Sequence, residues 1–339
     1  MISSFSQDVL NPLVRGTNLE RAQAREALHE ILLGRVDGVL IASFLTALTA
    51  KGETADEMTG FIDAMMASAT TFSVGPDAID LVGTGGDQLH TVNLSTMAAF
   101  AVAGSGVRVA KHGNRAASSS VGSADVLEAL GVRLDAGPET VQRCVHEAGI
   151  GFLFAPTFHP ALAHLTPVRR ALGFRTIFNV LGPLANPALV QRSLIGVAQR
   201  HLLGSMAQVL QARGIRYAIL VNADDGLDEL SLGADSTLHV ISPETIEVQR
   251  VDAAGLLGHR HDVASLRGGD VSVNVRAVRD FLDATPSPAF DVACANAGLA
   301  LMVAGRADDL RQGFELAAAN VRNGNAARAL QALVELSNS

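Results

Sequence analysis

The stretch that most limits how this chain can fold is 79-IDLVGTGGDQLHTVNLSTMAAFAVAGSG-106. An apolar run of strand length ends in Gly83-Thr84-Gly85-Gly86-Asp87, and a Ser95-Thr96 pair then opens a small-residue helix. Glycines at a strand end permit φ > 0 and let backbone amides approach a ligand, while the following helix N-terminus points unpaired N–H groups at an anion. The turn is therefore either a packing device or a phosphate seat. It is not the dinucleotide fingerprint, because Gln88 stands where the third glycine belongs, and no Walker lysine follows. Asn93, Ser95 and Thr96 place three short polar side chains where a cap needs one, which shifts the balance towards phosphate oxygens and a metal.

A second turn of similar texture follows in 108-RVAKHGNRAASSSVGSADVLEALG-131. Lys111, His112, Asn114 and Arg115 surround Gly113, and Ser123 is placed to cap the next helix. Two such turns at equivalent strand ends favour a cationic anion site over a solvated basic loop.

The remaining texture falls into three parts. From Asn18 to about Ser68 the apolar spacing is helical, with Gly34 ending one helix, Asp37 capping the next and a third starting at Ala55. From Ala78 short β-type runs alternate with helical stretches, the pattern of parallel strands with crossover helices. The segment 156-PTFHPALAHLTPVRRALGFRTIFNVLGPLANP-187 holds five of the 11 prolines and reads as a passage between bodies. Residues 290–335 return to helices with small-residue faces. The expected fold is α/β with a separate small all-α domain: a central, mostly parallel sheet flanked by helices. The expected division is a helical domain over 1–74 and a large domain over 75–339, with part of 156–190 packing on the helical domain and forming the hinge.

With 48% hydrophobic residues in 339, the chain can bury a large core, and a net charge of −8 excludes a general attraction to nucleic acid or anionic membranes. Any anionic ligand must be held locally. Cys144 and Cys294 are too few for a disulfide framework and read as core thiols. The amino end lacks a basic region followed by an apolar stretch, so the cytoplasm is the expected location.

GTGGD, N-x-S-T, K-H-G-N-R, PVRR-x-LG-x-RTIFN-x-LGPL-x-NP and DGLDE together resemble the anthranilate phosphoribosyltransferases. The resemblance runs from the helical start to the carboxyl end. It implies transfer of the phosphoribosyl group of 5-phosphoribosyl 1-pyrophosphate to anthranilate, in a nucleoside phosphorylase-like fold that dimerises through its helical domains. It further implies that Gly83, Gly86, Asp87, Thr91, Asn93, Leu94, Ser95 and Thr96 line the donor loop. Lys111, His112, Gly113, Asn114, Arg115, Ala116, Ala117, Ser118, Ser119 and Ser123 would complete the sugar-phosphate site. Gly83, Asn114 and Arg169 match anthranilate contacts, and Ser95, Asp228 and Glu229 match Mg²⁺ ligands, with two ions expected per site.

The residue chemistry agrees with these positions. The Arg169 fork suits a carboxylate, although a helix-surface charge is the alternative. His159 either borders the aromatic acceptor or caps and packs. Asp228-Glu229 closes an apolar strand after Gly226, a place where hard-cation ligands are more plausible than solvated charges. Three stretches depart from the family pattern: Gln88-Leu89-His90 stiffens the donor loop, Ser120-Val121 replaces Lys-Ser, and Asn222-Ala223 replaces His-Gly. Two rival readings are a pyrimidine-nucleoside phosphorylase and a non-catalytic nucleic-acid-binding relative. The acidic pair with Arg169 opposes the first, and the acidic charge with a single Tyr and no Trp opposes the second.

Overall fold

A computed structural model describes residues 4–115 and 121–339. The amino-terminal part is a bundle of α1 (Asn11–Val14), α2 (Arg21–Leu32), α3 (Gly38–Lys51) and α4 (Ala55–Ala67). Local chemistry sets its boundaries. Asp37 accepts the Val39 N–H at the start of α3, as expected, and Thr54 and Glu57 cap α4 reciprocally. The buried Glu57 carboxylate also accepts the Leu19 N–H and pairs with Lys51 at 2.8 Å, which ties the ends of three helices together.

The chain then alternates through β1 (Ile79–Gly83), α5 (Leu94–Gly104), β2 (Val109–Gly113), α6 (Ser123–Ala129), α7 (Pro138–Glu147) and β3 (Ile150–Phe154). The proline-rich segment follows as short helices, α8 (Ala155–Phe158), α9 (Thr166–Leu172) and α10 (Phe178–Leu181). Then come β4 (Arg192–Gly196), α11 (Leu203–Ala212), β5 (Tyr217–Ala223), β6 (Ser236–Ile241) and β7 (Ile246–Val251). The carboxyl end is helical: α12 (Val271–Leu282), α13 (Pro288–Val303), α14 (Leu310–Arg322) and α15 (Asn325–Ser337).

The sheet order is β3-β2-β1-β4-β5-β6-β7, parallel through β5 and antiparallel for β6 and β7. Strand order reverses between β1 and β4, so their carboxyl ends form the crevice where ligands of open α/β sheets sit. Side-chain alternation splits the core. Ile79, Leu81, Leu194 and Ile219 face α5 and α13, whereas Ile195, Ala218 and Leu220 face the other way. That second layer is continuous with the bundle: Phe44, Phe61, Leu165, Phe178, Ile195 and Met206 belong to one apolar cluster. Asp63 on α4 reinforces the junction by pairing with Arg213 after α11, while it also binds Arg21 within the bundle. Cys144 and Cys294 are buried free thiols, as expected, and burial pushes Cys294 up to about 12.

One local expectation is corrected. Gly122, not Ser123, is the N-cap of α6; its N–H goes to the Asp125 carboxylate, and Ser123 becomes the first helical residue. The approach explains Gly113 as well, since a Cβ there would lie 2.5 Å from the Ser123 hydroxyl.

Candidate active site

The crevice is built on two glycines paired across the switch point, Gly83 at the end of β1 and Gly196 at the end of β4. A Cβ on Gly83 would lie 2.6 Å from Asp228 Oδ2, and one on Gly196 would collide with the Asp228 carbonyl. Their bare backbones thus form a notch that admits the loop after β5, and this loop brings the acidic pair to the strand ends. Asp228 Oδ2 accepts the Gly85 N–H at 2.8 Å. Glu229 lies near the backbone N–H of Ser95 at the start of α5. Both carboxylates are partly exposed but crowded by protein. Burial and the neighbouring Asp87 push Asp228 up to about 6; burial and Asp228 push Glu229 up to about 8, with Lys111 opposing.

The donor loop has an unusual backbone. Gly85 and Gly86 have φ of +61° and +80°, and Gln88 and His90 also enter the left-handed region, at +62° and +52°. Asp87 steadies the turn by accepting the Leu89 N–H, and Thr91 bridges to Arg267. At the following helix, the N-cap Asn93 makes no side-chain cap bond. Asn93 instead donates to the Val121 carbonyl, and among the described residues its buried Oδ1 and the Thr96 hydroxyl have no partner. Leu94 packs into the core.

Lys111 is 2% exposed and reaches from β2 beneath α5, where Nζ donates to the Leu81 carbonyl at 2.6 Å and the Ser95 hydroxyl at 3.2 Å. Burial lowers its pKa, while Asp80 and Glu229 hold it up. His112 corrects the expectation of a cationic loop in part. Burial and the neighbouring His159 bring it down to about 3, so it is a neutral ring at neutral pH. One ring nitrogen faces the Gly182 carbonyl at 3.2 Å, and the other, Nε2, lacks a partner among the described residues.

Arg115 also departs from the expected placement. It pairs with Glu128 and Asp125 across α6 and stacks on Phe154, so its charge is satisfied away from the donor loop. Asn114 is exposed at the end of β2. Ala116, Ala117, Ser118 and Ser119 lie outside the described residues.

Arg169 on α9 is half-buried, stacks over Phe178 at 5.3 Å and has no carboxylate partner among the described residues. Burial depresses its pKa, the signature of a guanidinium short of counter-charge. His159 takes the packing alternative: it is 4% exposed, its Nε2 meets the Ala185 carbonyl at 3.0 Å, and its ring lies 5.3 Å from that of His112.

Sequence reasoning missed three residues. Asp80, fully buried in β1, accepts the His112 N–H and an Asn186 amide hydrogen at 2.7 Å, and burial raises it to about 6. A charge inside the apolar run IDLVG was the available signal. Asn186 completes that network, and Arg175 enters the cleft to donate to the Thr84 carbonyl at 2.9 Å. Asn222, one of the departures, anchors β5 to β4 through the Val197 carbonyl.

Among the described residues no three His, Cys, Asp or Glu side chains close into a metal shell. The Asp228-Glu229 pair still suits Mg²⁺, which takes one or two carboxylates and completes its sphere with water and substrate phosphates. Burial and the crowding of like charge raise both carboxylates, a strain that a bound cation would relieve.

A parallel-sheet switch point with two glycine-ended strands, joined to a helical bundle, is the two-part architecture of the glycosyl transferase family. Residues 75–327 match the a/b domain of the glycosyl transferase family, and residues 7–69 match its helical bundle domain. The chain is 48% identical to the anthranilate phosphoribosyltransferase of Thermomicrobium roseum, over 98% of this chain and 97% of that one. It is 44% identical to that of Rhodopseudomonas palustris, over 98% of each. Among solved structures, the anthranilate phosphoribosyltransferase of Thermus thermophilus superposes with a TM-score of 0.92 at 37% identity, covering 98% of this chain and all of that one (100%). The Saccharomyces cerevisiae enzyme, solved with PRPP and Mg, shares the fold with a TM-score of 0.88 at 24% identity, over 99% of both chains. The chain belongs to the anthranilate phosphoribosyltransferase family.

Proposed function

We infer that this chain transfers the 5-phosphoribosyl group of 5-phosphoribosyl 1-pyrophosphate to the amine of anthranilate, releasing pyrophosphate, as a step of tryptophan biosynthesis. The observation that carries this reading is the joining, at one switch point, of two glycine-ended strands and an acidic pair, beside which α9 supplies a half-buried arginine with no carboxylate partner among the described residues.

Gly83, Gly86, Asp87, Thr91 and the start of α5 receive the donor phosphates through backbone amides; among the described residues the Thr96 hydroxyl there has no partner and can donate to an anion, while the unpartnered Asn93 Oδ1 can accept only from a hydroxyl or bind a metal. Lys111 brings positive charge to the base of α5, close to Ser95. Ser95, Asp228 and Glu229 would hold Mg²⁺, in two ions per site; when bound, Mg²⁺ neutralises charge on the departing pyrophosphate. Arg169 grips the anthranilate carboxylate, with Gly83 and Asn114 bordering the acceptor. The acceptor is a neutral aniline with its lone pair already available, so orientation matters more than proton removal and no general base is assigned.

Closure of the helical part over the crevice, with 156–190 as hinge between a 1–74 and a 75–339 domain, would exclude water from the sugar. The same helical part offers a docking face for a second copy. A groove of about 880 Å³ is lined by Val14, Val39, Ala42, Val168 and Leu172, and Val14 and Val39 are 75% and 73% exposed. We assign this face to a homodimer. Among the described residues no helix is long and apolar enough to cross a membrane, and a cytoplasmic location is proposed with the function.

The test is optical. Anthranilate fluorescence should decay only when the donor and Mg²⁺ are both supplied. No decay, with phosphorolysis of thymidine or uridine in its place, would transfer the chain to the nucleoside phosphorylases.

A further inference from the structure

Arg175 is a cleft guanidinium that the substrate assignments leave unused. It follows the turn at Gly173, whose φ of +67° reverses the chain after α9 and aims the next residues into the crevice. Its Nη2 donates to the Thr84 carbonyl at 2.9 Å. Its Nη1 fills the space that a Gly86 side chain would need, so the glycine is required by the arginine itself. On the other side of the same three-residue span, Asp228 Oδ2 holds the Gly85 N–H at 2.8 Å. Thr84 to Gly86 is thereby clasped between an arginine and a carboxylate. Asp87 lies beside Asp228, which places two acidic side chains in the guanidinium's field.

We propose that Arg175 is the resident counter-ion of this acidic cleft: in the ligand-free enzyme it clasps the donor loop and offsets Asp87 and Asp228, and it yields that charge-balancing role when metal and pyrophosphate enter. Burial lowers the Arg175 pKa while both aspartates hold it up, as expected of a cation retained by these carboxylates. The consequence is a coupling between ligands. A second cation brought to the same carboxylates meets the guanidinium charge, so metal alone binds weakly; the donor supplies the negative charge that lets both cations stay. By reciprocity the metal then tightens donor binding. The inference rests on the acidic pair being the metal site.

Mn²⁺ alone, titrated by the electron paramagnetic resonance of the free ion, tests this without turnover. Without donor, Arg175→Met should bind Mn²⁺ roughly tenfold more tightly than wild type, and Arg175→Lys should stay near wild type because it keeps the charge. Metal-free Arg175→Met should also melt at a lower temperature and recover when Mn²⁺ is added, a gain that shows the variant is folded. Equal or weaker Mn²⁺ binding by Arg175→Met overturns the proposal. So does unchanged Mn²⁺ binding with a raised KM for the donor, which would make Arg175 a direct donor ligand. If neither protein binds Mn²⁺ with or without donor, the metal assignment itself fails, a result distinct from the other two.

Discussion

At the scale of single residues, the site is governed by charges that the protein does not fully balance. Arg169 is the clearest case, because a desolvated guanidinium stacked on Phe178 gains more from an incoming carboxylate than an exposed one would. Arg169→Ala should raise the KM for anthranilate roughly tenfold to a hundredfold and leave the KM for the donor nearly unchanged; initial rates with each substrate varied would check it, and equal effects on both would remove Arg169 from the acceptor pocket. The acidic pair makes a pH-dependent prediction. Asp228 and Glu229 rise in the folded protein to about 6 and about 8, above their ordinary values of 3.8 and 4.5. Their contribution to stability is therefore intact below the ordinary values and is lost as the pH climbs through the raised ones. Metal-free protein should lose thermal stability between about pH 5 and 8 on this account. The Asp228→Asn, Glu229→Gln double variant should flatten that slope and abolish the Mg²⁺ dependence of turnover; thermal melts across the pH range, with and without Mg²⁺, provide the measurement.

At the scale of elements, the meeting of β1, β4 and the loop after β5 decides whether the acidic pair arrives at all. Gly196→Ala would place a methyl group against the Asp228 backbone, which cannot rotate away, and should cost about 2–3 kcal/mol in urea unfolding together with loss of Mg²⁺ response. The donor loop makes the opposite kind of prediction. Gln88 holds a φ of +62°, so Gln88→Gly relieves local strain in the folded state but frees the unfolded chain. Stability should change by less than about 1 kcal/mol, while hydrogen exchange over residues 84–90 should accelerate. Slower exchange would contradict the reading of this insertion as a stiffener. Much of this architecture was legible: the glycine-ended runs became β1 and β2, Gly34 follows the end of α2 and Asp37 caps the start of α3 where expected, and the sheet is mostly parallel. What stayed hidden depends on partners distant in sequence. Arg115 looked like a phosphate ligand because its neighbours are polar, yet Glu128, one helix further on, claims it. His112 looked cationic until β2 was placed against His159 and Gly182. The β6–β7 hairpin was unread because β7 is largely exposed and its charged pattern resembles loop.

At the scale of the whole molecule, the exposed apolar face of the bundle predicts the assembly. Val39→Asp would set a charge into the middle of the groove formed by α1, α3 and α9, and light scattering should then show monomers where the wild type is expected to give a dimer. Monomeric wild type would withdraw the dimer assignment. The bundle and the sheet also share one apolar layer, in which Phe44 and Phe61 belong to the same cluster as Phe178 and Ile195. Peeling the bundle off the sheet would wet that layer, whereas sliding along it keeps the oily surfaces in touch. The proposed closure about 156–190 should therefore slide the bundle along that greasy bearing instead of lifting it off, with the Asp63–Arg213 pair setting how far the slide can run.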